Sequence, residues 1–220
     1  MRLCPAGRAA PLLLFVLLFS CTSMVAYFPE IPPSPEISDI QRQLAEGARW
    51  ALGRRHLVVR GRTFNYDCTG VILAIYWYAG IDLGRDFEDF TGNGVTRLYR
   101  SLERENLLYT STRPVTGDVI FWDNTYDRNG DGLWNDPLTH AGMVLRSYPD
   151  GIIEYVHLNY SRGIVIDSMN LLDPDLHQKV VRGTLRIVNS PIRLREAGRP
   201  HPPQWLAGQL YRVLGMGYLF

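Results

Sequence analysis

The chain has 220 residues, with 23 Lys and Arg against 22 Asp and Glu, a formal net charge of +1. That balance supplies no basic face for a phosphate backbone and argues against nucleic acid as a partner. Hydrophobic residues make up 46% of the sequence, enough for a real core and too many for a disordered chain, and beyond a leader the length suits one domain.

Residues 1–20 have the parts of a secretory signal: Arg2 and Arg8, an apolar run from Pro11 to Phe19, and the small Ser20. Leu18-Phe19-Ser20-Cys21 is similar to the lipobox of bacterial lipoproteins. That similarity implies lipidation at Cys21 and a partner membrane reached through a lipid anchor. Thr22 after the anchor points to the outer membrane, facing the periplasm, if the source is Gram-negative. No other stretch approaches eighteen consecutive apolar residues, so no transmembrane helix is expected. Residues 21–36 carry Pro29, Pro32, Pro33 and Pro35 and read as an extended tether.

The folded domain is expected over 37–190. Ser38-Asp39 followed by Ile40, Leu44, Ala48, Trp50 and Leu52, with Gly53 as a stop, predicts a capped amphipathic helix. Cys68 to Ala79 is apolar on all sides after its first turn and ends at Gly80, which predicts a buried helix. A third helix fits Val95 to Glu105. Short β-rich runs follow at Asp118 to Trp122, His140 to Leu145, Ile152 to His157, Ile164 to Ile166 and Val180 to Val188, with turn chemistry at Pro149-Asp150-Gly151 and Ser161-Arg162-Gly163. Helices first and an antiparallel sheet afterwards predict an α+β domain, with the helices packed on the sheet. Residues 191–220 read as a tail without an assigned role.

Of the three cysteines, Cys4 lies in the leader and Cys21 at the anchor, which leaves Cys68 unpaired. An unpaired cysteine in an exported protein is a candidate reactive thiol. At a helix start its thiolate is expected to be favoured by the helix dipole, and free N–H groups there can hold an oxyanion. His140 opens a strand directly after a loop and is the candidate base. His157 ends the next strand across a hairpin, where it can accept from the His140 ring and fix its tautomer, with Asn159 as the alternative third residue.

These residues resemble the NlpC-type papain-like cysteine peptidases of the bacterial cell wall, with the CHAP amidases as relatives. Tyr66-Asp67-Cys68-Thr69-Gly70 is similar to the family's nucleophile motif, Thr116-Gly117-Asp118-Val119-Ile120-Phe121-Trp122 to its Gly-Asp strand, and His140-Ala141-Gly142-Met143-Val144 to its base motif, in the family's order. The resemblance covers Tyr66 to Ile166. It implies a papain-like fold and hydrolysis of an amide bond in peptidoglycan stem peptides, with no cofactor required. A CHAP-like N-acetylmuramoyl-L-alanine amidase is the alternative, and a non-catalytic envelope lipoprotein of the same fold another. The family often has a Tyr upstream of the cysteine where this chain reads His56-Leu57-Val58-Val59.

Between the Gly-Asp strand and His140 lies a polar insertion in which Asp127, Asn129, Asp131 and Gly132 match the first half of an EF-hand loop. Leu138 stands where the closing Glu belongs, and Asp136 or Asp123 is the candidate to complete the shell of a structural calcium ion.

Overall fold

The computed structural model describes residues 38–193 and 202–220. Helix α1 spans Asp39–Ala51 and opens on a capping box between Ser38 and Gln41. Gln41 also donates to the Thr116 carbonyl at 2.8 Å, tying the helix start to the turn before the Gly-Asp strand. Leu44, Gly47, Ala48 and Ala51 form its buried face. A hairpin of β1 (Leu57–Val59) and β2 (Arg62–Phe64) follows, turning through Arg60 at φ 48° and Gly61 at φ 78°. Helix α2 runs Cys68–Tyr78 and α3 runs Gly94–Arg104.

The remaining chain builds a six-stranded sheet from β3 (Leu108–Tyr109), β4 (Val119–Trp122), β5 (His140–Ser147), β6 (Ile152–Asn159), β7 (Gly163–Asn170) and β10 (Tyr211–Gly215), in the order β3-β10-β4-β5-β6-β7. Every pairing in it is antiparallel. The fold class is therefore α+β. Two expectations need correction. The run Val180 to Val188 is not one strand but a separate hairpin of β8 (Gln178–Val181) and β9 (Thr184–Ile187), reversed by Arg182 and Gly183, both at positive φ. The segment from 191 is not a tail outside a domain ending at 190: β10 sits between β3 and β4, with Leu210 and Leu214 buried.

That insertion explains why β4 is buried at all four residues. Side chains alternate across a strand, so Val119 and Phe121 face a core shared with α1, α2 and α3, while Ile120 and Trp122 face a second core with Ala207, Leu210 and Leu214. The Trp122 indole N–H donates to the Ala207 carbonyl at 2.8 Å. An apolar layer thus covers each face of the sheet centre, and the ends of β5 and β6 emerge between them.

The Gly-Asp pair serves the turn into β4. Gly117 takes φ 86°, and the buried Asp118 carboxylate accepts from the Val115 N–H at 2.6 Å and from the Tyr109 hydroxyl. Burial is the main cause that raises its pKa to about 6, and the two hydrogen bonds oppose the rise.

Candidate active site

Helix α2 is held at its first turn by its own sequence. Asp67 is the N-cap, accepting from the Gly70 N–H at 2.7 Å. A Cβ at position 70 would stand 2.0 Å from the Asn65 carbonyl oxygen, so only glycine lets the incoming loop cross the helix start there. The pair Asp67 and Gly70 therefore sets where Cys68 projects, and the N–H of Ala141, next to His140 in the chain, donates to the Cys68 sulfur.

The thiol is not acidified by its place on the helix. Burial pushes the Cys68 pKa up and the Asp67 carboxylate adds to the rise, while hydrogen bonds from Ala141 and Thr69 pull it down without prevailing. The expectation that the helix start alone favours the thiolate is thus corrected, because burial of the sulfur, and after it the Asp67 anion at the N-cap, outweigh the hydrogen bonds. For such a thiol to act as a nucleophile, a base would have to take its proton.

Three side chains stand in line. His140 Nε2 lies 2.9 Å from His157 Nδ1, His157 Nε2 lies 3.0 Å from Asp167 Oδ2, and the Arg162 guanidinium donates to the same Asp167 oxygen at 2.5 Å. Burial alone would raise the Asp167 pKa, but the bonds from His157 and Arg162 outweigh it and hold the carboxyl below its ordinary value. An ionised Asp167 can only accept, so His157 carries its proton on Nε2 and offers a lone pair at Nδ1. His140 then carries its proton on Nε2 and offers Nδ1 as a free base. Burial, with His157 as a lesser cause, holds His140 well below the ordinary histidine pKa, so it is neutral at pH 7.

Strand register builds this line. Trp122 is paired with His140 across β4 and β5, and its ring lies 5.7 Å from the His140 ring and 5.0 Å from that of Tyr155. The β5–β6 register pairs Met143 with Val156, and His157 follows that pair toward the His140 end of β5. A Cβ on Gly142 would stand 3.0 Å from the Trp122 ring, so this glycine leaves the indole its place behind His140. Asp167 is paired with Tyr155 and is thus the diagonal neighbour of His157.

Asn159, the alternative third residue, accepts instead from Ser161 N–H, Ser161 Oγ and Arg162 N–H, each at 3.1 Å, and so closes the β6–β7 turn. It still borders the cleft of about 480 Å³ that contains Cys68, His140 and His157, with Tyr66, Tyr126 and Tyr160 around it. His56 is exposed and lies outside that lining. In the polar insertion the Asp127 carboxylate accepts from Gly130 and Gly132 N–H at 2.7 and 2.8 Å, Asn129 from Asp131 N–H at 3.0 Å, and Asp131 from Leu133 N–H at 2.8 Å. Asp136 is buried, 4.0 Å from the Arg128 Nε, and Asp123 pairs with Arg212 at 2.8 Å. Leu138 is buried in the core. Among the described residues no group of three or more His, Cys, Asp or Glu side chains is gathered as for a metal ion. Cys21 and the tether fall outside the described residues.

Asp167 and Arg162 were not among the sequence candidates. Asp167 follows Ile164-Val165-Ile166 directly, and the signal that could have found it is its even spacing from Val165, the residue that β7 sets opposite His157. No family model matches this chain, and no curated protein matches it by sequence.

Proposed function

We propose that the protein is a cysteine hydrolase of papain-like, NlpC-type fold that cleaves an amide bond in peptidoglycan stem peptides from an exported, lipid-anchored position. One observation carries the reading: a half-buried thiol shares a cleft with a neutral histidine whose free Nδ1 is presented by the chain His140–His157–Asp167. His140 Nδ1 takes the Cys68 proton as sulfur attacks the carbonyl carbon, and the imidazolium so formed is stabilised through His157 by Asp167. N–H groups at the start of α2 are assigned the developing oxyanion. Collapse of the tetrahedral intermediate returns the proton to the leaving amine, and water releases the acyl group from sulfur by the same base. The substrate class rests on the resemblance of the three motifs.

The raised thiol pKa favours the reading of a non-catalytic envelope protein, since a thiol that stays protonated and lacks a base is a poor nucleophile. Incubating peptidoglycan with the protein and analysing the fragments by mass spectrometry tests both. Cleaved peptide cross-links or stems, absent with Cys68→Ala, support the hydrolase and identify the bond, and a muramoyl product would make it an amidase. Intact peptidoglycan together with a Cys68 that resists alkylation at neutral pH would sink it.

A further inference from the structure

Beside the cysteine cleft lies a second cavity of about 350 Å³, and the two share Tyr66, Leu158, Asn159 and Tyr160. Two guanidinium groups line it, Arg55 and Arg162, and no carboxylate does. Arg55 is exposed and makes no hydrogen bond or ion pair with any described residue. Arg162 has a side chain 49% exposed and is tied to Asp167 at one nitrogen, which leaves further N–H donors of its fork free. The Tyr66 hydroxyl stands at the border of the two cavities, near Gly163. At the other end Asp67 places a negative charge directly next to Cys68. A ligand with one anionic group is therefore repelled from the thiol end and attracted to the arginine end, which gives it one direction in the joined cleft.

We propose that this second cavity is a recognition subsite for a carboxylate of the substrate, held by Arg55 together with Arg162 and Tyr66, on the same molecule whose amide bond reaches Cys68. The inference rests on the hydrolase reading and adds to it the charge class of the substrate. A planar carboxylate fits a guanidinium fork through paired N–H donors, which a neutral carboxamide cannot reproduce. Arg162 has a second part in it. Its guanidinium belongs at once to the subsite and to Asp167, so an anion seated there is coupled to the carboxylate that sets the histidine tautomers.

The test uses short peptides carrying Glu at each position near an amide bond, each paired with a twin carrying Gln, and measures their equilibrium binding to the full chain with Cys68→Ala. At least one Glu peptide is expected to bind about tenfold more tightly than its twin at low salt, with the gap narrowing as salt is added. Arg55→Gln in the same background should close the gap, and Arg55→Lys should keep part of it. Equal binding of every pair, or a gap that survives both Arg55→Gln and Arg162→Gln, overturns the proposal. Turnover of the same peptides by the intact protein separates the two readings: a binding gap without any cleavage keeps the carboxylate subsite and discards the hydrolase, whereas cleavage of Glu and Gln twins at equal kcat/KM does the reverse.

Discussion

At the scale of single residues, the proposed hydrolase mechanism divides labour unequally among Cys68, His140, His157 and Asp167. Cys68→Ala and His140→Ala are expected to abolish turnover alike, because nucleophile and base act as one unit. His157→Ala leaves a base without its orienting partner and should retain measurable activity, with partial recovery in His157→Asn, whose amide oxygen still accepts from the His140 ring. Asp167→Asn is the sharper probe. An amide that donates to His157 Nε2 inverts both tautomers and places the proton on His140 Nδ1, so kcat should fall by about 10²-fold or more with the fold unchanged by circular dichroism. An Asp167→Asn variant as active as the parent would remove the tautomer argument. The direction of the His140 shift also sets the pH profile. With its pKa below the ordinary value of about 6.5, kcat/KM should hold steady as pH falls through that value and decline only at lower pH. A decline centred at or above 6.5 would show that His140 is not buried as a neutral base.

At the scale of elements, the positions that hold the site are glycines and a cap. Asn65 crosses the first turn of α2 so closely that Gly70→Ala must displace either the loop or the helix start. We expect it to cost about 3 kcal/mol, at the upper end of overpacking changes, and to lower activity beyond the effect on stability. Equal Tm and turnover in Gly70→Ala would show that the loop can yield. The three helices and the strands bearing His140 and His157 could be read from apolar periodicity, because each buries its own local pattern. Asp167 could not, since its meaning comes from the register of β6 on β7, and an acidic residue after a three-residue apolar run reads equally well as a solvent-facing strand end. The hairpin from Leu57 to Phe64 was missed because its turn uses Arg60 at positive φ, where Asn or Gly is the usual signal. For the same kind of reason Val180 to Val188 reads as one apolar run until Arg182 and Gly183 are seen to reverse it.

At the scale of the whole molecule, the largest gap between sequence and structure is β10. Its partners are β3 and β4, about a hundred residues earlier in the chain, and no local pattern announces a partner so distant. Removing residues 205–220 is therefore expected to abolish cooperative thermal unfolding, although every residue of the catalytic line is retained. A truncated protein with a parental Tm would mean that β10 is dispensable. The buried Asp118 ties this part of the sheet to pH. Its folded pKa of about 6 lies above the unfolded value of 3.8, so its contribution to stability is full below the lower value and is lost as pH rises through the higher. The change over that window is about 2–3 kcal/mol. His140 acts in the opposite sense, destabilising the fold as pH falls below about 6.5. Asp118→Asn should remove the first dependence and leave the second, so that Tm in the variant rises with pH between 4 and 7. If parent and variant show the same slope, Asp118 is not the group responsible.

The late position of β10 has a consequence for how the protein is made. While the chain is being synthesised, β4 through β7 can pair with one another, but one edge of β4 has no partner until β10 arrives. An unpaired, fully apolar strand edge is a template for wrong association. The sheet is therefore closed by a strand made long after β4, and its assembly must wait for that strand. Until β10 has been made, the half-made chain has no finished core on the second face of the sheet.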